Sequence, residues 1–217
     1  HLPLLLYGTA ITAVLVALAR PEATVAVPEE RAAVVLATDI SGSMEARDVS
    51  PSRMDAVRSA ALEFLDGAPR DLRVGAVAFN HAVRSIEAPT AERADTRALI
   101  EQLTPSGGTA TGEGLAAALG LFERESSREG RRPPAAIILL SDGATTTGAD
   151  PVAVAREAGK RDIPIYTVAL GTPDGTVPGG FGGSIPVPPD PETLQAISKA
   201  SGGTAYTAND ADQLSGV

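Results

Sequence analysis

Apolar positions along the chain fall into two kinds of run. Continuous stretches rich in β-branched residues occupy 32–38, 74–79, 136–140 and 163–170. That is how strands covered on both faces read. Residues 83–87 are shorter and more polar, as in an edge strand, and a last strand is expected at 204–207. Between these runs the apolar residues recur at helical spacing. Met54, Val57, Ala61, Phe64 and Leu65 mark one helix, with Ser50 or Ser52 as its N-cap. Leu99, Ile100 and Leu103 mark a short one stopped by Pro105, and Leu115, Leu119 and Phe122 another. Asp150-Pro151 and Asp190-Pro191 each open a further helix, the second stopped by Gly202-Gly203. A final helix is expected around 211–217. Strands alternating with helices call for an α/β fold of the Rossmann-like, doubly wound kind, with a mainly parallel sheet. In such sheets ligands bind beyond the carboxyl ends of the strands, at the point where strand order reverses.

One stretch breaks the pattern. Residues 2–19 are 18 uncharged, mainly apolar positions closed by Arg20-Pro21. That length reaches the threshold for a membrane-spanning helix, and the run lacks the polar face of a surface helix. A signal peptide would need a basic leader and a small-residue cleavage site, and neither is present. The resulting division is a transmembrane helix at 1–20, a Pro-bounded linker at 21–30 and one domain over 31–217. A start at His1 reads as a piece of a longer chain. No basic excess follows the apolar run, so the domain is placed outside the cytoplasm.

Composition narrows the chemistry. The 217 residues carry 27 acidic and 18 basic side chains, a formal charge of −9, with 3% aromatic residues and no Trp. This is neither the positive field nor the stacking surface of a nucleic-acid binder. Without cysteine there is no disulfide, thiol chemistry or zinc ribbon. With only two histidines, one of them residue 1, a His-rich metal site is nearly excluded.

What remains is an oxygen-donor set. Asp39-Ile40-Ser41-Gly42-Ser43 follows the first strand, Gly107-Gly108-Thr109-Ala110-Thr111-Gly112 enters a helix, and Ser141-Asp142-Gly143 ends a later strand. All three segments belong at the mouth of one sheet. Hard divalent cations choose oxygen ligands, and Mg2+ takes one or two carboxylates while keeping several waters.

These segments resemble the metal-ion-dependent adhesion site of von Willebrand factor A domains. The family's D-x-S-x-S matches Asp39, Ser41 and Ser43, its distal Thr matches Thr109, with Thr111 as a near neighbour, and its distal Asp matches Asp142. The resemblance covers about 31–217. It implies a six-stranded sheet with one antiparallel edge strand, and bound Mg2+, with Mn2+ or Ca2+ compatible with the same donors. The chain looks closer still to the membrane-anchored bacterial proteins of the aerotolerance (Bat) type. The features are Ala19-Arg20-Pro21, the segment Asp48-Val49-Ser50-Pro51-Ser52-Arg53-Met54, and the close Ser201-Gly202-Gly203-Thr204-Ala205-Tyr206. That likeness implies a cell-membrane location and a link to MoxR-type AAA+ ATPases.

Two acids and three neutral hydroxyls leave a divalent cation under-neutralised, so an Asp or Glu of a partner protein would complete its shell. The expected role is therefore a metal-dependent protein-binding module, not an enzyme. A metal-dependent phosphate-ester hydrolase is the alternative. It needs a cation aimed at phosphate, and no basic residue lies in 38–44, 106–112 or 140–144, with Arg47 and Arg53 just outside. A purely structural subunit, its metal closed by its own chain, is a third reading. His81 is expected at the rim as a surface histidine, and Asn80 and Glu113 as outer supports of the site. Residues 171–191, with six Gly and six Pro, read as a long loop beside the metal. Residues 123–132 read as a solvated, charge-dense surface.

Overall fold

The structure is a computed structural model that describes residues 32–123, 133–179 and 182–208. The predicted spanning helix at 1–20, the linker at 21–30 and the helix expected at 211–217 lie outside these residues. Among the described residues no helix is long and apolar enough to cross a membrane.

Six strands form one sheet: β1 (Ala33–Asp39), β2 (Arg73–Phe79), β3 (Val83–Thr90), β4 (Ala135–Ser141), β5 (Ile165–Leu170) and β8 (Ala205–Ala208). Their order is β3-β2-β1-β4-β5-β8. Every pairing is parallel except β2 with β3, so the expected antiparallel edge strand is β3. The continuous apolar runs conceal an alternation. Val35, Ala37, Val77, Phe79, Ile137 and Leu139 face one side, and Leu36, Val74, Ala78, Leu140 and Val168 face the other. Helices α3 (Thr111–Glu123), α4 (Pro151–Gly159) and α5 (Pro191–Ser201) cover the first face. Helices α1 (Arg53–Gly67) and α2 (Ala94–Glu101) cover the second. Both faces are thus buried, which is why neither β1 nor β4 shows polar alternation.

Local signals set the helix starts. Ser52 caps α1 by accepting from the Asp55 amide, Asp150 caps α4 through Val152 and Asp190 caps α5 through Thr193. One difference from expectation stands out. Residues 171–191 are not a plain loop but contain a small antiparallel hairpin, β6 (Thr176–Pro178) with β7 (Ser184–Pro186). Its high Gly and Pro content hides strands this short, since both residues are normally depleted in strands.

The helices that follow β1 and β4 lie on opposite faces, so strand order reverses between these two strands. Leu139 lies wholly buried beneath this point. Leu139→Ala should lower unfolding stability by about 2–5 kcal/mol, as expected for a large-to-small core change. Urea denaturation checks this.

Candidate metal centre

The reversal point gathers the predicted residues. Parallel register sets Thr38 beside Leu140, which brings Asp39 and Ser141 together at the strand ends. The Ser141 hydroxyl donates to Asp39 Oδ2 at 2.7 Å, and the Ser41 amide donates to Asp39 Oδ1 at 2.8 Å. Beyond Ile40 the chain turns into a short 3-10 segment, Gly42–Glu45. There the Ser41 and Ser43 hydroxyls lie 3.0 Å apart, and the Ser43 hydroxyl bonds to Asp142. Gly143, with φ +86°, lets the chain leave β4 sharply, and the Asp142 carbonyl then accepts from the Asp190 amide at 2.6 Å. Four predicted ligands, Asp39, Ser41, Ser43 and Asp142, therefore belong to one cluster.

Thr109 arrives with its loop. The Ser106 amide donates to the Ile40 carbonyl at 2.7 Å and the Gly42 amide to the Gly107 carbonyl at 2.9 Å, docking 106–109 on the Asp39–Ser43 turn. Thr146 fixes Thr109 from the far side: its hydroxyl accepts from the Thr109 amide at 2.8 Å and donates to the Thr109 carbonyl at 3.1 Å. The neighbouring Thr111 hydroxyl is engaged with Thr145 at 3.0 Å. Asn80 supports the loop as expected, donating to the Ser106 carbonyl at 3.0 Å and accepting from the Ala110 amide at its own carbonyl. His81 is exposed and packs over Gly107, while Glu113 is exposed on α3.

Arg53 is the residue that sequence reading left just outside the site. Its guanidinium is fully buried and donates to Asp142 Oδ2 at 3.1 Å. Its other donors grip Asp48 at 2.9 and 2.7 Å. The signal was present in the 48–54 segment, but nothing in it shows a bond spanning 89 positions.

Electrostatics follow from burial. Asp39, Ser41, Asp142, Ser141 and Thr109 are all buried. Removal from water pushes the Asp39 carboxyl up to about 7, and the Asp142 charge adds to the rise, while bonds from Ser141 and Ser41 offset part of it. Burial also raises Asp142, against the pull of the Ser43 hydroxyl and Arg53. For Asp48 burial acts upward too, yet hydrogen bonds from Arg53 and Thr172 hold its carboxyl below the usual range.

Once Asp39 has lost its proton, two buried carboxylates and Asp48 share a single guanidinium, which leaves net negative charge in this cluster. The exposed way to cancel it is a hard cation, and the donor set fits one: oxygen only, two of the donors acidic. Among the described residues no group of three or more His, Asp or Glu side chains gathers, so a cation site here depends on the hydroxyls. Asp39, Ser41, Ser43, Thr109 and Asp142 are the residues that would hold it.

Comparison with known proteins gives consistent results. A model of the von Willebrand factor type A domain matches residues 34–144. The UPF0353 protein of Nocardia farcinica is 37% identical over 234 residues, spanning 100% of this chain and 70% of that protein. An aerotolerance-related membrane protein from Bacteroides fragilis, at 23% identity, gives a TM-score of 0.69 over 84% of this chain and 94% of its own. Proximal thread matrix protein 1 of the mussel byssus, with a zinc-occupied MIDAS motif, gives 0.60 at 20% identity over 86% of this chain and 43% of its own. At these identities the two structures show a shared fold.

Stability without metal should depend on pH in a defined sense. Asp39 titrates near 7 when folded and near its ordinary 3.8 when unfolded. Between these values the folded chain keeps a proton that the unfolded chain has lost, so stability falls as pH rises from about 4 to 7 and levels above. The loss is up to about 4 kcal/mol. Urea unfolding in chelator between pH 5 and 8 should show this decline, and Asp39→Asn should remove most of it.

Proposed function

The chain belongs to the von Willebrand factor type A family, and from that premise we propose that it is a divalent-metal-dependent protein-interaction module that takes an acidic side chain from its partner. The observation that carries this reading is the buried pair Asp39 and Asp142 with the hydroxyls of Ser41 and Ser43 between them, and Thr109 on the loop docked against the same turn. A bound Mg2+, or Mn2+ or Ca2+ in its place, would supply a Lewis-acidic centre with affinity for carboxylate. The protein's own groups do the rest. Ser141 and the Ser41 amide hold Asp39, while Arg53 fixes Asp142 and shares its charge. A carboxylate whose charge is shared with a guanidinium neutralises a cation less completely. The ion then keeps demand for one more anionic ligand, which a partner Asp or Glu meets.

Phosphate-ester hydrolysis finds less support. A basic side chain open to substrate would be needed to stabilise charge on the phosphoryl oxygens, yet Arg53 is wholly buried and committed to Asp48, Asp142 and the Val187 carbonyl. The zinc held by the mussel protein's motif supports divalent binding as a property this fold can carry. The Bacteroides protein is a membrane protein, which supports an anchor at 2–19; a domain outside the cytoplasm and a link to MoxR-type AAA+ ATPases belong to the same proposal and rest on the sequence resemblance.

Calorimetry should show one Mn2+ bound, with affinity reduced about 100-fold or more by Asp142→Ala and about tenfold by Ser43→Ala, as expected for removal of a charged and a neutral ligand. Water-proton relaxation by the bound Mn2+ should fall when an acidic peptide is added, because its carboxylate displaces coordinated water. Bound Mn2+ without exchangeable water would instead favour the closed, structural reading. Phosphatase turnover lost in Asp142→Ala would favour the hydrolase.

A further inference from the structure

Arg53 and the β6–β7 hairpin go beyond what cation binding alone requires. One Nη of Arg53 donates to Asp142, while the other serves Asp48 at 2.7 Å and the Val187 carbonyl at 2.9 Å. Asp48 in turn accepts from the Thr172 amide at 2.6 Å and its hydroxyl at 3.2 Å. Thr172 lies just before β6 and Val187 just after β7. Both ends of the hairpin are therefore fastened to a single ion pair whose remaining contact is a residue of the metal centre. The packing around that pair leaves no slack. A Cβ on Gly171 would fall 2.4 Å from the Arg53 guanidinium carbon, and one on Gly175 would fall 2.2 Å from its nitrogen. Close packing of this kind transmits a shift of the guanidinium to the backbone on either side of it.

We propose that Arg53 is a positioning residue for Asp142, and that the Asp48–Arg53 pair couples the β6–β7 hairpin to the cation site. This rests on the metal-centre reading above. A cation drawing on Asp142 redistributes the hold of Arg53, and the hairpin feels the change at both ends. Coupling is reciprocal. A partner that presses on the hairpin, where Ile185 is 53% exposed, alters cation affinity by the same factor.

The test is hydrogen exchange on the full chain in detergent, with and without saturating Mn2+, alongside Mn2+ binding followed by its paramagnetic resonance signal. In the wild type, Mn2+ should change exchange across 172–187 by about fivefold or more, the lower range of measured site-to-site couplings. In Asp48→Asn, which leaves every proposed donor in place, that response should drop below about twofold while Mn2+ still binds. In Arg53→Lys, which keeps the charge but cannot span three partners, the response should drop likewise and Mn2+ affinity should change with it. A purely structural Arg53 would lower the melting temperature without changing the metal response. If wild-type Mn2+ binds and the hairpin does not respond, the coupling is overturned and the metal centre stands. If Mn2+ does not bind the wild type, both readings fall together. Full hairpin response in either folded variant overturns the Asp48–Arg53 route. Should both variants fail to fold, the wild-type response alone decides the coupling.

Discussion

Burial of two like charges at one place governs this molecule. Asp39 and Asp142 are withdrawn from water at the ends of adjacent parallel strands, close enough for the Asp142 charge to raise the proton affinity of Asp39. A carboxylate in such surroundings is expensive unless it gains hydrogen bonds, a counter-ion or a proton. All three are in evidence. Ser141, the Ser41 amide and Ser43 supply the bonds, Arg53 supplies part of the charge, and Asp39 keeps a proton up to about pH 7. A divalent cation answers the same demand without the proton. Its affinity and the fall in stability expected on approach to neutral pH are then two expressions of one strain.

The sheet makes this burial unavoidable. The ends of β1 and β4 meet where the flanking helices part to opposite faces, so neither end is capped by a helix of its own. The gap is lined by turns: the Asp39–Ser43 segment, the 106–109 loop laid against it, and the bend at Gly143. Each turn is held by main-chain bonds to the next, Ser106 to Ile40, Gly42 to Gly107 and Asp190 to Asp142. Donor atoms from residues 39 to 142 are thereby fixed on rigid supports, which lowers the entropy that a ligand must remove on binding.

Much of this could be read from the chain, and the failures have a common cause. Strands β1, β2, β4 and β5 were legible because burial on both faces leaves an uninterrupted apolar run, and the caps Ser52, Asp150 and Asp190 because capping is local. The acids and hydroxyls now clustered were legible because each segment sits directly after a strand or before a helix. Arg53 was not, since an arginine two residues after a proline looks like helix-surface charge until the fold lays it under Asp142. Ser141 and Thr146 were missed in the same way, as their partners lie 102 and 37 positions away. The hairpin was hidden by composition. The six prolines and six glycines of residues 171–191 argue against strand locally, while the pair of anchors that fixes the hairpin, Thr172 and Val187, is contributed by contact with Asp48 and Arg53.

The overall charge then constrains how a partner is met. At −9 the chain repels an acidic protein at any distance where its field is felt as a whole. Screening limits that repulsion to roughly 8–10 Å at physiological ionic strength, so attraction has to come from a single local source. A cation seated between Asp39 and Asp142 is such a source, because its field is least screened where water is excluded. Arg53 cannot take the same role, being enclosed behind the acids it serves. With a cation bound, fixed positive charge would lie inside and exchangeable positive charge outside. On the proposed reading, an acidic side chain would be admitted through the ion alone, and the remainder of the surface would be left to discriminate among the proteins that carry one.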